Sequence, residues 1–216
     1  MKIAVLEPLG ISDDSLRGLL AKATDGHEVE VVTYPDRKED EASLIERSAD
    51  ADIVVVSNIK YSASVMEKNP NLKYVCVAFT GYDHVDMAYC REHGIQVSNC
   101  AGYSTVAVAD LVFGLTLDVL RNISTLNAIV RQGGTKDGLV GPELEGKRFG
   151  VVGAGAIGSR VMHIAQAFGC EVVCYSRTKK DIPGVEFVEL DELLKTSDVV
   201  SLHIPQTPET TGLIDA

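Results

Sequence analysis

The sequence has no tryptophan, few other aromatic residues and a minority of basic side chains. Across its 216 residues, 20 Lys and Arg stand against 31 Asp and Glu, which gives a net charge of −11. This acidic balance argues against nucleic acid and anionic membrane surfaces as partners. No uninterrupted apolar run approaches the roughly 20 residues that a membrane-spanning helix needs. The N-terminal segment MKIAVLEP meets a carboxylate and a proline too soon for a signal peptide, so we expect a cytoplasmic protein without a membrane partner.

The five cysteines form no C-x-x-C pair, and three of them lie in or beside apolar runs. They are Cys76, Cys90, Cys100, Cys170 and Cys174. We expect reduced thiols that mostly pack in the interior, as is usual in the cytoplasm. Neither these cysteines nor the five histidines show the spacing of a metal-ligand set, so we expect no metal site.

Three glycines organise the second half of the chain. Gly153, Gly155 and Gly158 form a G-x-G-x-x-G pattern between an apolar run at 149–152 and an amphipathic stretch. The pattern predicts a strand, a tight turn and a helix, and the apolar run from Val172 predicts the next strand. In this setting the first glycine permits the turn, the second lets backbone approach a pyrophosphate, and the third lets the helix pack closely on the sheet. We therefore predict dinucleotide binding, with a plain strand-to-helix turn as the alternative.

Short apolar runs alternate with helical patterns over most of the chain. The predicted strands of the first half lie at residues 3–6, 29–33, 53–56, 74–77 and 95–97. After the glycine cluster, apolar runs at 185–188 and 199–202 predict two further strands. This alternation predicts an α/β protein with doubly wound parallel sheets. One mostly apolar helical pattern runs from Thr105 to about Arg131, and it predicts a single long helix that is buried on several sides.

The number of predicted strands after Lys147 is about four, whereas a complete doubly wound dinucleotide fold has about six. A sheet that stopped there would leave residues 199–202 as an apolar edge strand, which is an aggregation hazard. We therefore expect the 216 residues to be part of a longer protein, with the second domain truncated.

Four motifs carry a resemblance to a known family. They are VGAGAIGSR at 152–160, TGYDHVD at 80–86, NCAGYSTVAVAD at 99–110 and DVVSLHIPQTPETTGLI at 198–214. Together, and in this order, they resemble the D-isomer-specific 2-hydroxyacid dehydrogenases over essentially the whole chain. The resemblance implies a flavodoxin-like substrate (catalytic) domain at residues 1–98. It also implies an incomplete NAD(P)-binding Rossmann domain at residues 99–216 and a homodimer. In the family, a returning C-terminal segment completes the substrate domain; that segment is absent from this sequence, so residues 1–98 correspond to the N-terminal part of the substrate domain.

The chemistry implied by the resemblance is hydride transfer between NAD(P)H and a small 2-keto acid. Such a reaction needs donors for the substrate carboxylate, stabilisation of the developing alkoxide and a general acid. By resemblance, backbone N–H groups around Thr80 and Gly81 bind the carboxylate, and the side chain of Phe79 shapes the pocket. The resemblance puts Asn58 and Lys60 in a loop that faces the active-site cleft. The alternatives are a plain strand-to-helix turn for the first group and solvated loop residues for the second.

The resemblance leaves the catalytic side chains outside this sequence. The family's arginine, its supporting acid and its histidine lie downstream of residue 216, so we assign no catalytic residue within the chain. His84 is interpreted as a loop histidine. His203 is interpreted as a wall residue of the cofactor site, with ordinary packing as the alternative.

The cofactor contacts implied by the resemblance cluster at the glycine turn, at the ends of two predicted strands and at the start of the long helix. They are Thr105, Gly153, Gly155, Ala156, Ile157, Gly158, Ser176, Arg177, His203 and Pro205. Helix capping alone would equally explain the residue at the start of the long helix.

The residue at the end of the second strand of the dinucleotide unit indicates the cofactor. An NAD enzyme usually carries an acidic residue there, which binds the ribose hydroxyls, but this sequence has Ser176. Arg177 follows, with Lys179 and Lys180 nearby, and an arginine at this place can pair with a 2′-phosphate. We therefore expect NADP in preference to NAD. The alternative is a solvated basic turn with NAD or dual use.

The predicted function is that of an oxidoreductase of the hydroxypyruvate/glycerate, D-lactate or 3-phosphoglycerate class. The motifs TGYDHVD and GYST resemble the glycerate dehydrogenase (hydroxypyruvate reductase) branch of the family. The alternative is a non-catalytic dinucleotide-binding module or scaffold, which would apply if the protein ends at Ala216.

Overall fold

The computed structural model describes residues 1–25 and 27–215, and so leaves out Gly26 and Ala216. The chain divides into two compact units, Met1–Ala101 and Gly102–Ala216. The sequence predicts a domain boundary between residues 98 and 99, and the boundary between the two compact units lies between residues 101 and 102. Among the described helices, none is long and apolar enough to cross a membrane.

The first unit is a parallel five-stranded sheet with helices between its strands. Its strands are β1 (Lys2–Val5), β2 (Glu30–Thr33), β3 (Ile53–Val56), β4 (Tyr74–Val77) and β5 (Gln96–Asn99). Its helices are α1 (Asp13–Ala23), α2 (Glu41–Ser48), α3 (Ala63–Met66) and α4 (Met87–Glu92). The strand order is β2-β1-β3-β4-β5, and every pairing is parallel. This is the flavodoxin-like order, so the predicted fold class of this unit is confirmed.

Local sequence explains these elements. β3 has the sequence IVVV and lies at the centre of the sheet, where its last three residues are buried. Helices cover both faces of such a sheet, and this accounts for the unbroken run of β-branched side chains. Side chains of Ser12, Asp40 and Asp86 cap α1, α2 and α4 by accepting backbone N–H groups.

The second unit is a parallel four-stranded sheet preceded by two helices. Its strands are β6 (Arg148–Val152), β7 (Glu171–Tyr175), β8 (Val185–Phe187) and β9 (Val199–Leu202). Its helices are α5 (Thr105–Arg121), α6 (Ile123–Arg131), α7 (Ala156–Ala167) and α8 (Leu190–Thr196). The order is β8-β7-β6-β9, which corresponds to four strands of the Rossmann order. β9 is an edge strand with Val200 and Leu202 exposed, as the sequence predicts.

The prediction of one long helix over 105–131 is wrong. Asn122 has a φ of 52° and separates α5 from α6. Its side chain donates to the carbonyl oxygen of Leu139 at 3.2 Å, and the Asp118 carboxylate accepts the N–H of Ser124 at 2.6 Å. Asparagine tolerates the left-handed conformation because its short polar side chain can bond locally. The chain therefore turns where the apolar pattern continues.

The expected burial of that helix on several sides is also wrong. In α5 only Ala109 and Phe113 are buried. By contrast, Leu111 and Leu115 are each 58% exposed and Val119 is 77% exposed. One face of α5 packs into the core of the second unit beside Phe149, and the other face is an exposed apolar surface.

Candidate functional site

The glycine turn joins β6 to α7 at the carboxyl end of the second sheet. Gly153 has a φ of 104°, and its N–H donates to the carbonyl oxygen of Tyr175 at 2.7 Å. Gly155 is the N-cap of α7 and offers no side chain to the helix. The first N–H groups of a helix have no partner within the helix, and its dipole is positive at this end. The start of α7 is therefore suited to binding an anion such as a phosphate.

The three glycines have two different physical roles. A Cβ placed on Gly153 would lie 2.5 Å from the carbonyl oxygen of His203, and one on Gly158 would lie 1.9 Å from the carbonyl oxygen of Gly153. These two glycines are required by the close packing of the turn. A Cβ on Gly155 would meet nothing within 4 Å. The space that Gly155 leaves open at the helix N-terminus fits a pyrophosphate that approaches the backbone.

The first residues of α7 present both backbone and apolar surface. Ala156 is exposed, whereas the side chain of Ile157 is half-buried and packs against the core of the second unit. Thr105, the first residue of α5, is half-buried, and its N–H donates to the carbonyl oxygen of Gly102 at 3.3 Å. Ser104 is the N-cap of α5, and its side chain makes no capping bond to that helix.

His203 follows the edge strand β9 and lies against the glycine turn. Its N–H donates to the carbonyl oxygen of Val152 at 2.7 Å, and its Nε2 lies 2.8 Å from the hydroxyl of Ser201. Burial lowers the pKa of His203, so the imidazole is neutral at pH 7. Pro205 is exposed, and its carbonyl oxygen accepts the hydroxyl of Thr210 at 2.7 Å. The carboxyl ends of β6 and β9 thus form one polar edge.

The end of β7 carries the residues expected to select the cofactor. Ser176 is half-buried and Arg177 is exposed. A hydrogen bond from Thr207 and, more weakly, the charge of Arg177 hold the pKa of Glu209 below its usual range. No ion pair joins Glu209 to Arg177 in the described residues, so the two side chains interact only through their charges, an interaction that the sequence did not indicate. Their proximity depends on how the segment after β9 folds back, and local sequence carries no signal for it.

The loop that follows β3 is held by a buried carboxylate in the first unit. Glu7 is 2% exposed, and its Oε1 accepts the N–H groups of Ser57 at 2.6 Å, Asn58 at 3.0 Å and Ile59 at 3.2 Å. Its Oε2 lies 2.7 Å from Nη1 of Arg37. Three N–H groups and one guanidinium satisfy a carboxylate that would otherwise be costly to bury.

Glu7 and Arg37 were also missed by the sequence analysis. The available signal is a glutamate that directly follows the first buried strand, because the carboxyl ends of parallel strands gather polar groups at one edge. The pairing with Arg37 could not be read from sequence, since it depends on β1 and β2 lying side by side.

The loops after β3 and after β4 are joined to each other. The N–H of Tyr61 donates to the carbonyl oxygen of His84 at 2.8 Å, and the N–H of Asp86 donates to the carbonyl oxygen of Tyr61 at 3.2 Å. Lys60 is exposed and lines a cavity of about 480 Å³ together with His84 and Asp83. No ion pair of Lys60 occurs within residues 1–25 and 27–215.

His84 lies in a turn, as the sequence predicts, but it is only partly exposed. Its Nε2 is buried and has no hydrogen-bond partner among the described residues. Burial lowers the pKa of His84, although the carboxylates of Asp83 and Glu7 act in the opposite direction. The imidazole is consequently neutral near pH 7.

The segment after β4 is oriented by bonds to its carbonyl groups. The carbonyl oxygen of Phe79 accepts the N–H of Cys100 at 2.9 Å, and that of Thr80 accepts the side-chain amide of Asn99 at 2.6 Å. Phe79 is exposed at its ring. The N–H of Gly81 has no acceptor in the part of the chain that the structure describes. A donor of this kind is suited to a carboxylate.

The predicted site residues thus divide between the two units. The five predicted for substrate, which are Asn58, Lys60, Phe79, Thr80 and Gly81, follow the adjacent strands β3 and β4 of the first sheet. The glycine turn, Ser176, Arg177, His203 and Pro205 follow β6, β7 and β9 of the second sheet. Within the described ranges, no three His, Cys, Asp or Glu side chains are grouped so that they could hold a metal ion.

Comparisons with known proteins agree with this architecture. The family model described as "D-isomer specific 2-hydroxyacid dehydrogenase, catalytic domain" matches residues 3–135, and the one described as the NAD binding domain of the same family matches residues 113–216. A hydroxypyruvate reductase of Blautia hydrogenotrophica is 36% identical over 233 residues, which cover 100% of this chain and 69% of the relative.

Two solved structures are similar over almost the whole chain. An acyclic imino acid reductase (Bsp5) in complex with NADPH and D-Arg has a TM-score of 0.83 at 31% identity, covering 97% of this chain and 67% of that one. A D-lactate dehydrogenase of Aquifex aeolicus, complexed with NAD and lactic acid, has a TM-score of 0.81 at 29% identity, covering 97% and 62%. The chain therefore spans about two thirds of the length of these proteins, and it belongs to the D-isomer specific 2-hydroxyacid dehydrogenase family.

Proposed function

We propose that the protein is an NAD(P)-dependent oxidoreductase that interconverts small 2-keto acids and D-2-hydroxy acids. The substrate class is that of hydroxypyruvate/glycerate, D-lactate or 3-phosphoglycerate. The observation that carries this proposal is the open space at Gly155, at the N-terminus of α7, in a chain whose residues 3–216 match the two family models. When bound there, the dinucleotide supplies or accepts the hydride.

The first unit binds the substrate in this proposal. The N–H of Gly81, next to Thr80, donates to the substrate carboxylate, and the ring of Phe79 forms one wall. Asn58 and Lys60 contribute donors from the neighbouring loop. Support comes from the unsatisfied N–H of Gly81 and from the position of both loops at the carboxyl end of the same sheet.

The second unit binds the dinucleotide. Gly153 and Gly158 shape the turn, Gly155 admits the pyrophosphate, and the first N–H groups of α7 at Ala156 and Ile157 bind its oxygens. His203 and Pro205 line the cofactor site at the end of β9, and Thr105 contacts the nicotinamide side from the start of α5. The neutral state of His203 supports a wall role, because it adds no charge beside the ring.

NADPH is the preferred cofactor in this proposal. Ser176 replaces the carboxylate that would repel a 2′-phosphate, and the guanidinium of Arg177 provides a partner for it. Lys179 and Lys180 add positive charge to the same turn. Glu209 opposes this preference through its negative charge near Arg177, so we expect a moderate preference for NADPH.

We also propose a homodimer in the cytoplasm. The exposed apolar side chains of α5 and α6, which are Leu111, Leu115, Val119 and Ile123, form a surface of the kind that a second copy would cover. A dimer is tested by sedimentation or light scattering. Replacement of Leu115 and Val119 by Asp is expected to yield monomers.

The experiment that tests the function uses the full-length product of the natural gene. Oxidation of NADPH and NADH is followed by absorbance with hydroxypyruvate, glyoxylate and pyruvate, and the configuration of the product is determined by chiral chromatography. We expect turnover with at least one of these acids and a D product. Tight NADPH binding without turnover on any 2-keto acid would refute the proposal and favour the non-catalytic dinucleotide-binding module.

A further inference from the structure

Arg37 connects the buried carboxylate of the first unit to a predicted substrate residue. It lies between β2 and α2, where Nη1 is 2.7 Å from Oε2 of Glu7 and Nε is 2.6 Å from Oε1 of Glu39. The same Nη1 donates to the side-chain oxygen of Asn58. One guanidinium therefore holds a residue after β1 and a residue after β3 at the same edge of the sheet.

This contact fixes which end of the Asn58 carboxamide is available to a ligand. A guanidinium can only donate hydrogen bonds, so the carboxamide must turn its oxygen toward Arg37. The amino group of Asn58 then remains, and in the described part of the chain it has no acceptor. The backbone of Asn58 is itself fixed, because its N–H donates to Glu7 at 3.0 Å. Asn58 is thus an exposed donor with a set orientation.

The position of this donor indicates the part of a substrate that it meets. The carboxylate of the substrate is proposed to bind at Gly81, after β4, and Asn58 follows β3, the adjacent strand. Adjacent strands lie roughly 4.8 Å apart. An oxygen on the third carbon of a 2-keto acid is separated from the carboxylate carbon by a distance of the same order. The apolar methyl group of pyruvate would leave the amino group of Asn58 unpaired.

We propose that Arg37 is a positioning residue that, through Asn58, selects 2-keto acids with an oxygen-bearing third carbon over those with a methyl group. This inference rests on the proposed function. Arg37 does not touch the substrate. It determines that Asn58 presents hydrogen-bond donors, and the loss of a donor to a substrate hydroxyl group costs roughly three- to tenfold in kcat/KM.

The test compares hydroxypyruvate with pyruvate in the full-length protein. Asn58→Ala removes the donor, so the ratio of kcat/KM values is expected to fall roughly three- to tenfold. Arg37→Met frees the carboxamide to rotate and is expected to lower the ratio about fivefold, mainly through the KM for hydroxypyruvate. Arg37→Lys keeps the charge beside Glu7, so its ratio of kcat/KM values is expected to lie between those of Arg37→Met and the wild type.

A matched control separates positioning from stability. Arg17 is a comparable exposed arginine of the same unit, paired with Asp13 at 2.6 Å and far along the chain from the loop after β3. Arg17→Met is expected to leave the substrate ratio unchanged. Thermal unfolding and NADPH binding of each variant show that the fold is retained.

Two results would overturn the inference. One is an equal loss of kcat/KM for both acids in Arg37→Met, which would indicate a structural role only. The other is an equally large change in the substrate ratio when Arg37→Met is introduced into a variant that already carries Asn58→Ala. A wild-type protein that reduces neither acid would instead refute the proposed function, so the two failures are distinguishable.

Discussion

Gly158→Ala is expected to lower the stability of the protein, whereas Gly155→Ala is expected to lower its affinity for the dinucleotide. A Cβ on Gly158 would lie 1.9 Å from a backbone oxygen, that of Gly153, which cannot rotate away. Helix α7 would have to move off β6, and such overpacking costs about 1–3 kcal/mol, with the upper end expected here because the clash is with backbone. The variant Gly158→Ala should therefore unfold roughly 10 °C or more below the wild type.

The effect at Gly155 follows from the empty space around it. Gly155 has a φ of −70°, which alanine adopts readily, and a Cβ there would meet nothing within 4 Å. The loss of a favourable N-cap limits the destabilisation to about 1 kcal/mol. The methyl group would occupy the space left for a pyrophosphate and interfere with hydrogen bonds from α7. One such bond to a charged group is worth about 1.5–3 kcal/mol, so dinucleotide affinity should fall at least about tenfold.

The assay measures thermal unfolding and NADPH fluorescence titration for both variants in parallel. Gly18→Ala is the matched control, because Gly18 lies within α1, and a Cβ there also meets nothing within 4 Å. It should stabilise α1 by about 0.5–1 kcal/mol and leave NADPH binding unchanged. Wild-type affinity in Gly155→Ala, or wild-type stability in Gly158→Ala, would refute the assignment of roles to these glycines.

Three further predictions concern charge and reactivity. Arg177→Ala should weaken NADPH binding at least about tenfold and NADH binding much less, because only NADPH carries the 2′-phosphate; equal losses in titrations of both cofactors would contradict this. Brief alkylation of the native protein, followed by peptide mass spectrometry, should label exposed Cys100 first, since burial raises the pKa of Cys174 to about 11. A hydrogen bond from the backbone N–H of Arg148 to Asp198 holds the pKa of Asp198 below its usual range. The ionised Asp198 carboxylate should therefore stabilise the protein above about pH 4 and lose this effect at lower pH. The free energy of unfolding, measured with urea, should depend less on pH below about pH 4 in Asp198→Asn than in the wild type.

The sheets of both units could be predicted because their strands carry the strongest local signal. The run IVVV of β3 is explained by burial in a parallel sheet, and the glycine pattern before α7 is explained by backbone conformation and close packing. Both signals lie within a few residues of the chain. The expected position of the candidate site at the carboxyl ends of the strands then follows from the parallel topology alone.

The features that sequence did not reveal depend on contacts between distant residues or on one backbone angle. Arg37 and Glu7 are 30 residues apart and meet only because β1 and β2 are neighbours. Asn122 interrupts an apolar helical pattern that continues on both sides of it, and an asparagine in a helix is indistinguishable by pattern from one that adopts a positive φ. The exposure of one face of α5 was not predicted. Apolar composition indicates that a helix favours burial, but it does not identify the surface that would bury the helix.

The wholly parallel pairing of both sheets has a consequence for how the chain folds. No described strand pair in either sheet is a hairpin; even the most local pairing joins Val172 to Val185, and β1 pairs with β3 through Ile3 and Ile53. Loop closure must precede these contacts, so folding is expected to be slow for the size of each unit. All strands of the first sheet lie before residue 100, and all strands of the second lie after residue 147. During synthesis the first sheet can therefore be completed while the second is still being translated.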